Sequence, residues 1–269
     1  MFSRLFFSRH EWRCECLDGA LGVSDRQERI EGWKRASLSR ATGLFLGAGG
    51  INGEICEGVV RKGLGAAHIV DLDEVTPSNL NRQKFLKKDL YRNKARCLCR
   101  NLRVQGYLGT RLVPHPCWYQ DLNVEEIKPD FVVCSVDPRF PNTRLEVCKF
   151  CHSRGIPCVF VAVSTDADYG YIFVQTPGNT CWACVFKPEM TDPERVSESD
   201  RCPSVPACVD ILKALAGHAL YAIDTLIMTR KRDWNYRVVS LGRSDFGSSH
   251  LVPRREGCVV CGGKGQGNE

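Results

Sequence analysis

Two Cys-x-x-Cys pairs, separated by 73 residues, constrain the fold of this chain more than any other feature of its sequence. Each pair can form a knuckle, and two knuckles together present four thiolates in the tetrahedral geometry that Zn²⁺ prefers. Because four thiolates fill the coordination sphere, the pattern predicts a structural zinc rather than a catalytic one, with the ligands Cys181, Cys184, Cys258 and Cys261. Such a site would link the C-terminal region to the chain near residue 180. Buried or redox-active cysteines are the alternative interpretation.

The chain contains sixteen cysteines among 269 residues, a number that would suggest disulfides in a secreted protein. Its first residues include no apolar run long enough for a signal peptide, although their arginines and serines faintly resemble a transit peptide. No stretch approaches the roughly 20 apolar residues of a membrane span. We therefore expect a cytoplasmic protein with reduced thiols, in which most cysteines outside the two pairs act as small core residues.

The net charge of +6 is mild and does not by itself indicate a class of partner. A nucleic-acid-binding protein would show a long Lys/Arg block or a basic stripe interleaved with aromatic residues, and the sequence has neither. The charge is equally compatible with an acidic protein partner. We therefore expect no nucleic-acid binding and no membrane association.

Apolar runs and helical segments alternate along the chain and predict an α/β fold. A strand at 42–46 ends in glycines and is followed by a helix at 51–62 and a strand at 66–71, which together form a βαβ unit. Further elements are predicted as strands at 130–136, 158–163, 169–176 and 234–241 and as helices at 24–36, 92–105, 141–153 and 206–228. This alternation favours a Rossmann-like, doubly wound mixed sheet that is less regular in its second half.

The predicted pattern of strands and helices divides the chain into one large domain with a terminal segment on each side. Residues 1–24 show no clear period and are interpreted as an N-terminal extension. Residues 25–262 form the domain, interrupted by a polar, proline-containing stretch at about 187–205 that predicts a mobile crossover loop. The glycine-rich residues 263–269 are interpreted as a flexible tail.

Glycines follow the first predicted strand, at Gly47, Gly49 and Gly50. They let the backbone approach phosphate oxygens, and the next helix begins there with free amides and a favourable dipole. The motif is imperfect, because Asn52 stands where a third glycine would be expected. Asp71 ends the second strand, where a carboxylate can accept hydrogen bonds from ribose hydroxyls, and Asp73 belongs to the same predicted nucleotide site. At this point NAD and ATP are nearly equal interpretations.

A polar cluster that follows the acidic pair separates these two interpretations. It lies within sixteen residues and comprises Asn79, Arg82, Gln83 and Lys94. A dinucleotide site needs no such cluster, whereas a triphosphate needs its charge neutralised while pyrophosphate leaves. Asp137 ends a later strand, at the sheet edge where such folds bind ligands, and one carboxylate with substrate phosphates is the usual way to hold Mg²⁺. Taken singly, Arg82 or Lys94 could equally be a solvated surface charge.

These residues together resemble those of the ThiF/MoeB/HesA-type adenylyltransferases, the ancestors of ubiquitin-activating enzymes. The resemblance runs from about Arg26 to Cys261 and is carried by the glycine loop, Asp71-Leu-Asp73, Ser78-Asn-Leu-Asn-Arg-Gln83, Lys94, Asp137 and the four cysteines. It implies Mg-ATP-dependent adenylation of the C-terminal carboxylate of a ubiquitin-like or sulfur-carrier protein. The carrier would be a separate chain ending in Gly-Gly.

The resemblance also implies a role for each matching residue. Asp71 would hold the ribose, Asp137 would hold the Mg²⁺, and the phosphates would be bound by Asn79, Arg82 and Lys94. Arg26, in an Arg-Gln pair typical of the family, would reach the triphosphate of a partner subunit, so the resemblance implies a homodimer with shared sites. The carboxylate attacks in line without a general base, and catalysis then consists of positioning and charge neutralisation.

Some members of this family form a thioester or persulfide on a cysteine of the crossover loop. Cys202 is the candidate here, since a neighbouring arginine and a loop setting favour the thiolate. Cys208 is the second candidate. The segment Cys202-Pro-Ser-Val-Pro-Ala-Cys208 departs from the sulfur-carrier members by extra prolines and a small insertion.

Other functions remain open at this point. Within the family, the substrate could instead be a short peptide, or the chain could be a non-catalytic scaffold subunit of a heterodimer. Outside it, an NAD-dependent oxidoreductase is the remote alternative. The run Cys148-Lys-Phe-Cys151-His152 matches a c-type haem attachment pattern, but packing cysteines are the favoured interpretation of that helix.

Overall fold

The computed structural model describes five stretches of the chain, residues 25–105, 109–136, 143–188, 206–228 and 230–262. Several of the predictions lie outside these stretches: the extension 1–24, Asp137, nearly all of the crossover loop with Cys202, and the tail 263–269. No helix in the described stretches is long and apolar enough to cross a membrane.

Strands and helices alternate through the first half of the domain. The α-helices of the described stretches are α1 (Asp25–Glu28), α2 (Arg35–Leu38), α3 (Gly50–Lys62), α4 (Lys94–Arg103), α5 (Val124–Ile127), α6 (Thr143–Ser153), α7 (Trp182–Phe186) and α8 (Val209–Ile227). The strands are β1 (Thr42–Leu46), β2 (Ala66–Val70), β3 (Arg111–His115), β4 (Phe131–Cys134), β5 (Cys158–Val163), β6 (Tyr169–Gln175), β7 (Tyr236–Ser240) and β8 (Gly247–His250). Short 3₁₀ helices lie at Pro77–Asn79, Lys87–Asp89 and Tyr119–Asp121.

All eight strands form one mixed sheet in the order β3-β2-β1-β4-β5-β6-β7-β8. The pairs from β3 to β5 are parallel, whereas β5–β6, β6–β7 and β7–β8 are antiparallel. After β1 the chain builds outward through β2 and β3, and it then returns to place β4 on the other side of β1. This reversal creates a crevice at the carboxyl ends of β1 and β4, where open α/β sheets bind their ligands.

Helices cover both faces of the sheet, as the doubly wound prediction requires. On one face, α3, α4 and α8 pack against strand residues such as Phe45 and Ile69 in a single buried cluster. On the other face, α6 and α7 pack against Leu44, Leu46 and Phe160. Successive residues of β1 therefore enter opposite cores, because side chains along a strand alternate between its faces.

Most predicted elements are present, but the structure corrects one predicted helix and adds two strands. The single helix expected at 24–36 is wrong, since α1 and α2 are separate helices with a turn between them in which Gly32 has a φ of 76°. Strands β3 and β8 were not predicted. β3 contains Pro114, which a strand tolerates because β3 pairs only with β2 and leaves its other edge free of ladder bonds.

An ion-pair cluster connects α3 to α8 and to the segment that follows α8. The Asp224 carboxylate is 1% exposed and accepts hydrogen bonds at 2.9 Å from Lys62 Nζ and from an Arg230 guanidinium nitrogen. Lys62 is the last residue of α3 and lies 5.8 Å from the centre of the Trp33 ring. Burying this carboxylate costs its hydration, and its attraction to the two cations offsets that cost.

Replacing Asp224 with Ala should therefore lower the free energy of unfolding by about 3 kcal/mol, because two partly buried cations lose their counter-charge. Urea denaturation followed by circular dichroism measures this change. The matched control is Glu125→Ala, which removes an ion pair with Arg154 whose side chains are 78% and 43% exposed. That control should cost less than about 0.5 kcal/mol. Equal losses in the two variants would contradict a stabilising role for the buried cluster.

Candidate functional site

A tight glycine turn connects β1 to α3 at the crevice. Gly47 has a φ of 93°, a conformation that favours glycine, and its N–H donates to Val70 O at 2.8 Å. Gly49 is the N-cap of α3, and the first intrahelical bond runs from Gly53 N to Gly49 O. The amides that precede this bond have no acceptor within the helix, so they are available to an anion at its N-terminus.

The structure explains why Asn52 replaces the expected third glycine. Its side chain is fully buried, and Nδ2 donates to the carbonyls of Leu46 and Gly47 at 2.8 Å each. The amide thereby holds the end of β1 in the turn conformation. Two other glycines allow neighbouring side chains to approach the backbone of α3 closely. A Cβ on Gly50 would lie 2.5 Å from Leu212 Cδ1, and one on Gly53 would lie 3.2 Å from Lys84 Cγ.

The carboxylate of Asp71 connects this turn to the end of β2. One oxygen accepts the Ala48 N–H at 2.7 Å, and the other accepts the Asp73 N–H at 2.8 Å. Burial raises the pKa of Asp71, while the charge of Lys94 and the two amide donors oppose that shift. Each oxygen can accept a further hydrogen bond, so a ribose hydroxyl could bind here without displacing either amide.

Lys94 lies beside this carboxylate, at the first turn of α4. It is 8% exposed, and its Nζ donates to Asp73 Oδ2 at 2.9 Å. The preceding residue, Asn93, caps the helix by accepting the Arg96 N–H, and its own amide donates to Asp71 O at 2.8 Å. Sequence reasoning missed Asn93, although an asparagine directly before a helix is a recognisable capping signal.

The polar segment after the acidic pair packs against the N-terminal half of α3. Asn79 Oδ1 accepts the Thr76 N–H at 2.9 Å, and the Asn79 carbonyl accepts the amides of Arg82 and Gln83. The Arg82 carbonyl lies 3.3 Å from the position of a Cβ on Gly50. Lys84 forms ion pairs with α3 carboxylates, at 2.9 Å with Glu54 and 2.5 Å with Glu57. The segment is therefore fixed next to the glycine turn.

The side chains of Arg82 and Gln83 differ in their hydrogen bonding. Arg82 folds back, and its guanidinium donates to Ser78 O and, at 3.1 Å, to Asn81 Oδ1. Gln83 Oε1 is buried and has no hydrogen-bond partner among the described residues. A buried amide oxygen without a partner is costly, so a donor from a bound molecule or an ordered water would stabilise this position.

Asp137 and Arg26 are the two remaining residues predicted to serve the nucleotide. Asp137 lies outside the described residues, although Val136, which precedes it, has Cγ1 only 3.6 Å from the position of a Cβ on Gly47. Arg26 is exposed on α1, where its neighbour Gln27 donates to Arg61 O at the far end of α3. A helix rises about 1.5 Å per residue, so Arg26 is roughly 15–20 Å from the glycine turn of its own chain.

The four cysteines of the two Cys-x-x-Cys pairs form one buried cluster. Their Sγ atoms all lie within 4.8 Å of one another, and neighbouring pairs are separated by 3.7 Å (Cys181–Cys184), 3.5 Å (Cys181–Cys258) and 3.3 Å (Cys184–Cys261). Tetrahedral thiolates around Zn²⁺ would be about 3.8 Å apart, so the cluster has the size of such a site. It joins the start of α7 to the C-terminal end of the domain.

Backbone donors surround these sulfur atoms. The Arg255 N–H donates to Cys184 Sγ at 3.3 Å. Burial opposes ionisation of Cys258, but the amides of Cys261 and Val260 outweigh it and lower the pKa of that thiol to about 7. Burial raises the pKa of Cys184 to about 12, so a second thiolate here needs a cation beside it. These donors and charges suit a thiolate-bound metal ion.

Gln175 supports the cluster from the neighbouring strand. Its Oε1 accepts from Trp182 N at 3.0 Å and from Cys148 Sγ at 3.2 Å, and its Nε2 donates to Cys148 O at 3.1 Å. Cys148 and Cys151 are fully buried in the core beneath α6. The Cys148-x-x-Cys151-His152 run is thus a packed helix in which both cysteines face the core, an environment with no room for a covalently attached haem.

The substitution Asp71→Asn tests whether the Asp71 carboxylate bridges the two loops. In Asp71→Asn, only one carbonyl oxygen remains to accept two amide donors, and the new NH₂ group meets one of them. We expect the free energy of unfolding to fall by about 2 kcal/mol, measured by urea denaturation. The control is Asp130→Asn at the opposite end of β1, where Asp130 Oδ2 accepts the Thr42 N–H and an asparagine oxygen can accept the same bond. An Asp71→Asn variant as stable as the control would contradict the bridging role.

Comparison with known proteins identifies relatives of the chain. The Nedd8-activating enzyme E1 catalytic subunit of Drosophila melanogaster is 33% identical over 127 residues, which cover 45% of this chain and 26% of that protein. Adenylyltransferase and sulfurtransferase MOCS3 of Caenorhabditis briggsae is 25% identical over 238 residues, which cover 84% of this chain and 56% of that protein. The chain therefore spans little more than half, or less, of the length of these curated relatives.

Solved structures share the fold. MccB of E. coli in complex with ATP superimposes with a TM-score of 0.71 at 20% identity, covering 85% of this chain and 68% of that chain. MccB with MccA gives a TM-score of 0.77 at 18% identity, covering 91% and 75%. The ThiF family model matches residues 25–258, which include the glycine turn, the Asp71–Lys94 region and three of the four clustered cysteines. Because this match covers most of the chain, the protein belongs to the ThiF family.

Proposed function

We propose that this protein uses ATP to adenylate the C-terminal carboxylate of a ubiquitin-like or sulfur-carrier protein that is supplied as a separate chain. The observation that carries the proposal is the packing of the 79–84 segment against the first turns of α3. This packing brings the segment predicted to bind phosphates next to the N-terminus of α3. The first amides of that helix have no acceptor within the helix. A dinucleotide site needs the glycine turn and Asp71 but not this second layer of polar groups.

The residues present fit a bound ATP. Open space surrounds the N-cap of α3, since no heavy atom of the described residues lies within 4 Å of a Cβ on Gly49. Under the proposal, Asp71 accepts the ribose hydroxyls, and the α3 amides with Asn79, Arg82 and Lys94 bind the phosphates. The buried Gln83 Oε1 would gain a donor from the bound molecule. Arg82 and Lys94 must each exchange an internal contact for a phosphate contact.

The reaction then needs positioning rather than proton transfer. A carboxylate oxygen of the carrier attacks the α-phosphorus, a new P–O bond forms, and the bond to pyrophosphate breaks. The attacking group is already ionised, so no general base is required, and cations that stabilise the leaving pyrophosphate supply the catalysis. Asp137 is proposed to hold a Mg²⁺ ion, which would neutralise phosphate charge when bound.

Two further parts of the proposal involve other groups. Arg26 is too far from the turn of its own chain, so we propose that it serves the site of a second copy in a homodimer. A covalent step would use Cys202 of the crossover loop: its thiolate attacks the carbonyl carbon of the acyl adenylate, and a thioester forms as AMP leaves. Cys208, the other candidate, is exposed and is the N-cap of α8. It is therefore accessible to a carrier's activated terminus.

We also propose that the cysteine cluster holds a structural Zn²⁺ ion. The four sulfur donors and their spacing support this assignment, and the ion would supply the positive charge that buried thiolates require. With four protein ligands it would have no open position for a substrate.

Short-peptide adenylation is the second candidate function, and the similarity of the fold to MccB solved with MccA favours it. The two candidates share the nucleotide site and differ in the acyl substrate. A non-catalytic scaffold is disfavoured, because such a subunit has no use for Arg82 and Lys94 beside the turn. An NAD-dependent oxidoreductase is disfavoured by the same residues.

Adenylation predicts ATP–pyrophosphate exchange that depends on Mg²⁺ and on one carrier, measured against a panel of small proteins and peptides ending in Gly-Gly. Lys94→Met should reduce this exchange by about 100-fold or more, since a charge that stabilises the leaving group is removed. Asp137→Ala should abolish it. The control Lys149→Met, on α6 at the other face of the sheet, should leave exchange unchanged. Full exchange in Lys94→Met, with the control intact, would remove Lys94 from the phosphate site.

The zinc assignment predicts one metal ion per chain in protein purified without chelators, measured by plasma mass spectrometry. Cys258→Ser should lose the ion and lower the melting temperature, because the folded state loses metal-binding free energy. The control Cys208→Ser removes an exposed thiol outside the cluster and should keep the full metal content. A metal content near zero in the unmodified protein would refute the site.

A further inference from the structure

A basic cleft lies on the α8 face of the antiparallel half of the sheet. Its volume is about 560 Å³, and none of the candidate nucleotide-site residues lines it. One wall is formed by Lys213 and His218 of α8. The other wall is formed by the segment that leads into β7, with Lys231 and Arg232, and by Arg237 of β7 itself. We refer to these five residues as the basic cleft.

Among the described residues, positive charge in the basic cleft exceeds negative charge. Four permanent cations line it against one carboxylate, Asp233. Within the described stretches, none of the four cations forms an ion pair with a carboxylate. By contrast, the nearby cations Lys62 and Arg230 are both paired with the Asp224 carboxylate. Within the described part of the chain these cations repel one another, and a bound anion would relieve that repulsion.

Both arginines of the cleft are held in fixed positions. Their guanidinium carbons lie 5.1 Å (Arg232) and 4.3 Å (Arg237) from the centre of the same indole ring, that of the buried Trp234. Arg232 also donates to Thr225 Oγ1 at 3.1 Å and to Trp234 O, and Arg237 donates to Ser249 Oγ at 2.8 Å. Each guanidinium keeps further N–H donors, so the pair is prearranged for an anion at little entropic cost.

His218 adds a neutral donor to the same cleft. An Arg237 N–H lies 3.1 Å from His218 Nδ1, and because a guanidinium can only donate, Nδ1 is the acceptor. The imidazole proton is then on Nε2. Burial lowers the pKa of His218, and the adjacent Arg237 lowers it further. Burial likewise lowers the pKa of Arg232, with a second contribution from Arg237. Both shifts show that the cleft disfavours additional positive charge.

We propose that the basic cleft binds a phosphoryl group or oligophosphate that carries at least two negative charges. The positive charge of two fixed guanidiniums and two lysines exceeds the charge that one carboxylate can neutralise. A dianionic phosphate carries two negative charges on several oxygens within one small volume, so it matches this excess. The rigid fork of an arginine matches such oxygens bidentately. The phosphoryl group could belong to a free oligophosphate or to a phosphorylated side chain of a polypeptide, and both sources present the same chemistry.

The test is isothermal titration calorimetry of the full chain with sodium tripolyphosphate. We expect binding that Arg237→Gln weakens by about tenfold or more, because a charge-assisted contact is lost. The double substitution Lys213→Gln/Lys231→Gln changes only exposed side chains, so it tests the cleft even if Arg237→Gln fails to fold; it should weaken binding several-fold. Lys149→Gln on the opposite face is the matched control and should bind as the unmodified protein does.

The proposed nucleotide site could also bind tripolyphosphate, and Lys94→Met separates the two sites. Binding that persists in Lys94→Met and is weakened by the cleft substitutions supports the proposal, whatever the outcome of the exchange assay. Binding that Lys94→Met abolishes and the cleft substitutions leave unchanged overturns it. Equal affinity for citrate, a tricarboxylate, would overturn the assignment to a phosphoryl ligand.

A second titration distinguishes the two sources. A phosphoserine peptide and its unphosphorylated form are compared with tripolyphosphate. Tighter binding of the phosphopeptide, lost in Lys213→Gln/Lys231→Gln, assigns the cleft to a phosphorylated polypeptide. Binding of tripolyphosphate alone assigns it to a free oligophosphate. Absence of binding by all three probes overturns the proposal.

Discussion

The carboxylate of Asp71 is the contact on which the candidate nucleotide site depends. It accepts one amide from the glycine turn after β1 and one from the loop after β2, so the two loops are fixed to each other. Asn93 then connects the Asp71 carbonyl to the start of α4, which positions Lys94. A group with this many backbone donors can be buried as a carboxylate without a direct ion pair, since hydrogen bonds to its charged form offset the loss of hydration.

The antiparallel half of the sheet is organised around a different constraint. The cysteine cluster joins the start of α7 to residues 258–261, so a segment with no regular secondary structure is held against the core. Gln175 extends this contact into β6 and to α6. The domain therefore has a parallel half that contains the candidate nucleotide crevice and an antiparallel half in which four cysteines hold the C-terminal end of the domain. The basic cleft lies on this second half, away from the residues of the proposed adenylation site.

Much of the parallel half could be predicted from the sequence, because its strands are buried on both faces and appear as continuous apolar runs. The run at 42–46 and the glycine closing α3 are examples, and both match the structure. Strand β3 was not predicted because it is partly exposed and contains a proline. Strand β8 was not predicted because its short polar sequence shows no alternation of apolar and polar residues. The single helix predicted at 24–36 is wrong because the chain turns at Gly32, where φ is positive.

Within the candidate site, the sequence by itself determined which residue types are available: the glycines, the acidic pair, the 79–83 cluster, Lys94 and the four cysteines with their spacing. These are local patterns whose chemistry is independent of the fold. Only the tertiary structure decided which of them meet. It placed the Arg82 carbonyl beside Gly50, gave Asn52 its role in the turn, and put Arg26 at the far end of α3. It also gathered Lys213, His218 and Arg237 into one cleft, because contacts between residues distant in sequence follow from packing and leave no local signal.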